Sequence, residues 1–144
     1  MTVLKILISF GCLFLATKLS AQTTWLTVAG NPGDASTDLL EVDPKSRVQI
    51  LDEATLNIRV SRNKLLSSSD GIPFRSYTAT IRVNCLEKTA RFATAAFHMM
   101  PFWEGTPHRV LVFTSTEIRP VIFRFFEPNP TARVVKAACI SPGK

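Results

Sequence analysis

The chain has 144 residues, of which 46% are hydrophobic and 19% are charged, and its formal net charge at pH 7 is +6. This length is that of one ordinary domain. The sequence has no basic run and does not interleave aromatic residues with Lys and Arg at a regular spacing, so it lacks the signature of a nucleic-acid-binding protein. A mildly basic charge is compatible with weak attraction to anionic surfaces such as sulphated glycans or acidic lipids.

The first residues have the pattern of a secretory signal peptide. Lys5 precedes an apolar run at 6–16, and Ala21 is a small residue in front of a plausible cleavage site. A transmembrane helix needs about 20 apolar residues, so this run is short for the alternative, an uncleaved membrane anchor. We therefore predict a signal peptide at 1–21 and a single domain at 22–144. The domain would be exported to the periplasm, the outer surface or the medium, with no transmembrane segment after cleavage.

The sequence before residue 75 is typical of short strands separated by turn-forming residues. Gly, Pro, Asn, Asp and Ser favour the turns, whereas β-branched and aromatic residues favour the strands. Around Leu56, Ile58 and Val60 the alternation with polar residues predicts a half-buried strand. In chain order we predict a strand at 25–29, a loop at 30–37, strands at 39–42 and 48–50 separated by a break at 43–46, a turn at 52–54, the half-buried strand, and a polar loop at 64–73.

The clearest strand lies at 75–85. Its apolar residues, Tyr77, Ala79, Ile81 and Val83, alternate with polar ones as far as Cys85. A period of two over this length predicts one buried face and one wet face. We expect this strand to be central, and its buried face to end in the cysteine.

The remaining elements follow a tight connection at 86–89. We predict a return strand at 91–97, for which small residues leave a helix as an alternative, and a loop at 101–107 that carries two aromatic residues. The apolar runs at 110–113 and 121–126 predict strands covered on both faces. After a proline-rich break, the spacing of Val134, Val135, Ala138 and Cys139 predicts a short helix from Thr131, which Pro142-Gly143 would end.

Export changes what the cysteines mean. Cys12 lies inside the leader, in a poor context for lipidation, so only Cys85 and Cys139 belong to the predicted domain. Outside the cytoplasm such a pair is expected to be oxidised, and closing this loop removes roughly 4 kcal/mol of chain entropy from the unfolded state. A redox-active or metal-binding pair is the alternative, but the CxxC spacing is absent. We predict an α+β fold: a mainly antiparallel sheet with a short C-terminal helix pinned to it by a Cys85–Cys139 disulfide.

The order of these parts resembles the bacterial surface-adhesin protein E-like domain family. The resemblance covers nearly all of the predicted domain and rests on an ordered set of residues rather than on one specific motif. A proline-containing turn and a short helix before the last cysteine complete the set, whose other members are Trp25, Asp43-Pro44-Lys45-Ser46-Arg47, Arg75-Ser76, Asn84-Cys85, Arg91 and Cys139.

The resemblance implies an antiparallel sheet, a C-terminal helix held by a disulfide between the matching cysteines, and attachment to host extracellular-matrix or serum proteins. The sequence departs from the family in two places. Phe123, Phe125 and Phe126 stand where the family tends to have a tryptophan before the last turn, and the leader lacks the lipidation site of the founding adhesin type.

Few residues suggest a metal site or a catalytic site. His98, Met99, Met100 and His108 lie in or beside one loop, and such soft ligands suit copper in a weak periplasmic metal site. The alternative is that both methionines pack under the loop and both histidines are solvated. No Gly-x-Ser-x-Gly elbow occurs, the carboxylates are scattered, and a bonded cysteine is not a nucleophile. We therefore expect no enzymatic activity, no catalytic residue and no cofactor.

Binding is the function that the sequence favours. Loops on a rigid sheet carry recognition residues, and exposed aromatic residues with Arg make good interface anchors. We predict an adhesin-like module that binds an extracellular-matrix or envelope protein. The alternatives are an envelope accessory protein without a host ligand and, for the basic residues, an ordinary solvated sheet face or a polyanion site. The candidate binding residues are Arg59, Arg62, Lys64, Arg82, Phe102 and Trp103, with Arg75 near the same strands.

Overall fold

The computed structural model describes residues 25–139, so the predicted signal peptide and the predicted helix stop at 142–143 lie outside the described residues. Within that range the chain forms a six-stranded antiparallel sheet whose strand order is the order along the chain. A helix packs on one face, and the predicted fold class is confirmed. The elements are β1 (Leu26–Ala29), β2 (Leu39–Ile50), β3 (Glu53–Ser67), β4 (Pro73–Asn84), β5 (Thr89–His98), β6 (Arg109–Val112) and α1 (Thr131–Ala138).

β4 is an inner strand, as its alternation predicted. It pairs with β3 along one edge and with β5 along the other. Tyr77, Ala79, Ile81 and Val83 are buried on the side of the sheet on which α1 packs. We call this side the helix face and the opposite side the open face.

β2 is one strand rather than the two predicted pieces. The break expected at Asp43–Ser46 is a register shift inside the strand, between Asp43 and Val48. Pro44 has no N–H to give to a sheet ladder, and side chains take over hydrogen bonds at this point. The Asp43 carboxylate accepts from Lys45 N at 3.0 Å, and the Ser46 hydroxyl accepts from Asn57 N at 2.8 Å. The strand therefore continues past the proline.

The predicted turn at 52–54 is displaced, since the turn lies at 51–52. The predicted loop at 64–73 is too long. β3 begins at Glu53, and Leu51, with φ 54°, lies in the turn before it. At the other end of β3, Leu66 pairs with Phe74 and Ser67 with Pro73, so only residues 68–72 form the loop. The polar residues near the end of β3, a lysine and serines, are typical of a loop, so the sequence did not predict that the strand continues there.

β5 is a strand, so the helical alternative for 91–97 is wrong. β6 is also a strand, but the expectation that it is covered on both faces is wrong. Val110 is 57% exposed and Val112 is 73% exposed, because β6 is an edge strand and both side chains lie on the open face.

The apolar run at 121–126 forms no strand. Its backbone pairs with β5 only where it begins, through the Arg91–Pro120 bridge and the hydrogen bond from Val121 N to Ala90 O. Beyond that point, Val121, Phe123 and Phe126 are buried against the helix-face core while the residues between them are exposed. The run is thus apolar because it covers the core, not because it pairs.

α1 begins at Thr131, as predicted, and buries Val134, Val135 and Ala138 against β2 and β3. Cys139 follows its last residue and is bonded to Cys85 just after β4, with the two Cα atoms 5.6 Å apart. The predicted disulfide is confirmed. From residue 25 to residue 139, no helix has the length and apolar character required to cross a bilayer.

Candidate functional site

The open face presents a polar centre. Asn57, Thr78, Thr80 and Thr94 lie there on three adjacent strands and are each partly exposed. The Thr80 hydroxyl donates to Asn57 Oδ1 at 2.9 Å. Short polar side chains on adjacent inner strands leave hydrogen-bonding groups accessible, and neither α1 nor the 113–126 segment covers them.

One end of this face carries an aromatic–cation stack. The Arg59 guanidinium lies 4.3 Å from the ring centroid of Trp25 and 4.2 Å from that of Trp103. Its Nε donates to Glu41 Oε2 at 2.6 Å, and the carboxylate side chain is only 6% exposed. We call Trp25, Glu41, Arg59 and Trp103 the Arg59 stack. Guanidinium groups favour such stacking because they are planar and weakly hydrated.

The strand register explains why these residues meet. Glu41 pairs with Arg59 across β2 and β3, so both side chains leave the sheet on the open face. Trp25 stands immediately before β1, at the outer edge of the sheet. Trp103 arrives from the 3-10 turn Pro101–Trp103, which folds back over β3 and β4. The chain contains two tryptophans, and both belong to this stack.

The 3-10 turn holds two aromatic residues in the left-handed backbone region. Phe102 has φ 53° and Trp103 has φ 62°. Two buried serines on the open face accept their N–H groups: Ser61 Oγ from Phe102 N at 3.1 Å, and Ser76 Oγ from Trp103 N at 3.0 Å. The indole N–H of Trp103 also donates to the carbonyls of Val60 and Tyr77, at 3.2 and 2.9 Å. Left-handed backbone in bulky residues costs about 1–3 kcal/mol each and persists only where surrounding contacts enforce it.

The structure divides the basic residues predicted as one candidate site. Arg59 and Arg82 lie on the open face, the latter 3.8 Å from Glu53. Arg62 lies on the helix face, where its guanidinium is 4.3 Å from the ring centroid of Phe126. Lys64 Nζ is 5.7 Å from the ring centroid of Phe125. Alternation along β3 separates Arg59 from Arg62, so these residues do not form one patch.

Arg75 has a structural role, and the two aromatic candidates lie together. Arg75 Nε donates to the carbonyl of Arg62 at 3.0 Å. The rings of Phe102 and Trp103 are 6.3 Å apart and partly exposed. Sequence reasoning missed Glu41 as a partner of Arg59. Opposite charges at open-face positions of two neighbouring strands were the available signal.

The predicted soft-ligand residues differ in their surroundings. His98 ends β5 and is buried, and its Nδ1 has no hydrogen-bond partner among the described residues. Met99, Met100 and His108 are exposed. The carbonyl of Met100 accepts from Ser76 Oγ at 2.6 Å, so its backbone helps to fix the 3-10 turn. Across residues 25–139, His, Cys, Asp and Glu form no group of three or more suited to a metal ion.

A cavity of about 540 Å³ lies on the helix face. Tyr77 lines it, and burial raises the pKa of this phenol well above its usual range, although the nearby Arg62 charge opposes the shift. Arg62 lines it as well, and burial lowers the pKa of its guanidinium while the Asp38 carboxylate opposes that shift. The Asp38–Arg62 ion pair spans 3.0 Å. The Tyr77 phenol therefore stays protonated at neutral pH and keeps its hydrogen-bond donor.

Hydrogen bonds stabilise two carboxylates in loops, Asp34 and Glu117. Hydrogen bonds from the hydroxyl and N–H of Ser36 lower the pKa of Asp34. Hydrogen bonds from Thr114 lower the pKa of Glu117, with a smaller contribution from the charge of Arg119. Both groups close their own turns and lie outside the Arg59 stack.

No protein-family model and no curated protein matches the chain. Among solved structures, the chain is similar to Haemophilus influenzae protein E in its crystal form II. The identity is 12%, the TM-score is 0.45, and the match covers 73% of this chain and 83% of that chain. Identity and TM-score this low identify neither a family nor a function, so membership of the protein E-like family remains a prediction.

Proposed function

We propose that this chain is an exported, non-enzymatic binding module that recognises a protein partner through the open face beside the Arg59 stack. The observation that carries the proposal is the 3-10 turn, in which Phe102 and Trp103 both have a left-handed backbone. Such strain concentrates at functional sites. Here two buried serines hold the turn so that aromatic rings and an arginine meet at a partly exposed surface.

The composition of this surface supports a protein partner. Trp, Tyr and Arg are the residues most enriched among interface hot spots, and charged pairs fixed beforehand lose little entropy on binding. The Glu41–Arg59 hydrogen bond already orients the guanidinium. The threonines and Asn57 beside it supply donors and acceptors for a polar rim.

The disulfide supports export. Disulfides persist in oxidising compartments and are rare in the cytosol, and the Cys85–Cys139 bond joins two elements of the folded core. The adhesin-like part of the proposal, attachment to a host extracellular-matrix or serum protein, has the residue resemblance as its support. An envelope accessory protein without a host ligand is the competing function, and it has the same fold and the same export.

Location separates these two functions and is measured first. Intact producing cells are treated with protease, and the chain is followed by immunoblotting, with a periplasmic protein as the control for envelope integrity. Adhesion requires degradation of the chain while the periplasmic control survives. Full protection of the chain would exclude host attachment and leave the envelope role.

Binding is measured on immobilised matrix and serum proteins with a matched pair of variants. Phe102→Asn removes the ring but keeps the turn, because Asn tolerates a positive φ. Leu51→Asn is the control, since Leu51 has φ 54° and is 87% exposed at the turn before β3. We expect Phe102→Asn to weaken binding at least about tenfold, as for an aromatic hot spot. Equal binding by both variants would place the interface elsewhere.

A further inference from the structure

The cavity on the helix face is independent of the binding surface proposed above. α1 packs on β2 and β3. The cavity lies between β3, β4 and β5 of the sheet and the 113–126 segment, and no residue of α1 lines it. The loop between β3 and β4 forms the other rim. The volume of the cavity, about 540 Å³, falls within the range of about 300–1,000 Å³ that is usual for small-molecule sites.

Aromatic rings form the apolar part of its lining. Phe74, Tyr77 and Phe97 contact one another, with ring centroids 5.5 to 5.9 Å apart. Phe92 adjoins them, 6.0 Å from the Tyr77 centroid. Ala95, which is 2% exposed, has the smallest side chain of the lining residues on the inner strands. This surface favours a hydrocarbon body and gives a charged group no partner.

Arginine side chains form the polar part of the lining. Arg62, Arg119 and Arg124 line the cavity, and Asp70 is the one carboxylate among the lining residues that the structure describes. Arg62 is the buried member of the three, with 4% of its side chain exposed. Its Nη2 donates to the Arg124 carbonyl at 2.9 Å, but its Nε is buried without a hydrogen-bond partner among residues 25–139. An unpaired buried donor is unfavourable. The Nε atom is itself covered, so the Arg62 side chain would have to turn toward the cavity for an anionic acceptor to satisfy it.

The charge balance limits the head group. Asp38 already neutralises part of the Arg62 charge through its 3.0 Å ion pair. A head group with a single negative charge would meet the two rim arginines, Arg119 and Arg124, and would gain the unpaired donor of Arg62 once that side chain turned toward it. A carboxylate is planar and matches the donor geometry of a guanidinium.

We infer that this cavity binds an amphipathic monocarboxylate of the fatty-acid class. The hydrocarbon chain lies against Phe74, Tyr77 and Phe97, and the carboxylate lies toward Arg62 and the rim arginines. Tyr77 keeps its hydroxyl protonated because burial raises its pKa, so the phenol adds no competing negative charge.

The rim has a contact that can open to admit such a molecule. Arg119 Nη2 lies 3.2 Å from Asp70 Oδ1, which joins the 113–126 segment to the loop between β3 and β4. Both side chains are substantially exposed, at 42% and 32%. Exposed pairs of this kind contribute little stability. Arg119 can therefore exchange Asp70 for a ligand carboxylate at small cost.

The test compares three ligands with the same twelve-carbon chain on the oxidised protein: laurate, dodecanol and dodecyltrimethylammonium, each below its micelle concentration. Displacement of a fluorescent fatty acid gives the affinities. We expect laurate to bind at least about tenfold more tightly than dodecanol, because a hydrogen bond to a charged group is worth about a factor of ten. The cationic ligand should bind most weakly. Equal affinities for all three would overturn the inference.

Variants locate the site. Ala95→Leu fills the cavity and should reduce laurate affinity at least about tenfold, and Arg119→Gln should reduce it about threefold or more while leaving the fold intact, because the residue is at the exposed rim. Lys136→Gln is the control, since it removes a positive charge from the exposed side of α1. If Ala95→Leu does not fold, Arg119→Gln decides. Laurate binding that is unchanged in the folded cavity variants, or reduced equally by Lys136→Gln, would overturn the inference.

Discussion

Glu41 accepts a 2.6 Å hydrogen bond from Arg59 and holds that guanidinium between two indole rings. The carboxylate is almost fully buried, whereas the arginine side chain is 25% exposed. Both side chains lie on the open face, where the buried Glu41 fixes the position of the partly exposed Arg59. The contribution of this pair to stability and its proposed part in binding are separable by mutation.

Arg59→Ala should lower the free energy of unfolding by about 2–3 kcal/mol, because it leaves the Glu41 carboxylate buried without its charged partner. Arg59→Lys should cost less, since it keeps the charge but loses the planar stacking. Urea unfolding followed by tryptophan emission measures both changes, and both tryptophans of the chain report from this stack. A loss no larger than that of an exposed arginine variant such as Arg109→Ala would contradict this role.

Replacing both Cys85 and Cys139 by Ala should lower the free energy of unfolding by roughly 3–4 kcal/mol, because the bond closes a loop with a sequence separation of 54. α1 should lose protection first, since the bond attaches its C-terminal end to the sheet. Hydrogen exchange resolves this order. Labelling of two free thiols in the native, air-oxidised protein would contradict the bond itself, and uniform loss of protection across sheet and helix would contradict the local role of the bond.

The protein should lose stability at alkaline pH through Tyr77, its single tyrosine. Burial raises the pKa of Tyr77 in the folded chain above the value of about 10 expected in the unfolded chain. The stabilising contribution is therefore fully present below pH 10 and is lost as the pH rises from there toward the folded-state pKa. Tyrosinate absorbance should appear only as the chain unfolds. Tyr77→Phe is the control, and its stability should fall less over the same range.

Gly30→Ala should be far more destabilising than Gly33→Ala, although both glycines lie in the loop before β2 and have φ 89° and 84°. A Cβ on Gly30 would overlap the carbonyl group of Asp38, whereas one on Gly33 would have no atom within 4 Å. We expect about 1–2 kcal/mol for Gly33→Ala from backbone strain alone and more than about 3 kcal/mol for Gly30→Ala. Thermal unfolding of the two variants measures the difference, and equal losses would contradict the overlap.

The features that the sequence predicted correctly were those set by local pattern. The alternation of β4 could be read because the strand has neighbours on both edges and one covered face. The helix start was readable because Pro130 cannot continue a preceding helix and the spacing after Thr131 changes to a helical one. The disulfide was predicted because only two cysteines lie outside the predicted leader.

The errors arose where tertiary contacts replaced a local rule. Near Pro44, side-chain hydrogen bonds replace backbone ones, so β2 continues beyond a residue that normally ends a strand. At 121–126, an apolar run covers the core without forming a strand. The meeting of both tryptophans at Arg59 could not be predicted, because Trp25 precedes β1 and Trp103 comes from the connection between β5 and β6. Their approach depends on tertiary contacts and strand register, which a single sequence does not specify.

The succession of strands across the sheet has a consequence for how the molecule assembles. Because each strand pairs with its neighbour in the chain, every hairpin closes a short loop, and sheets with local pairing form quickly. The C-terminal segment is different, since α1 must travel back to β2 and β3. We expect the meander to form first and this segment to dock afterwards. Cys139 would then reach Cys85 only in a chain whose sheet is already in register. Oxidation would therefore stabilise a topology that has already formed and would not determine which strands pair.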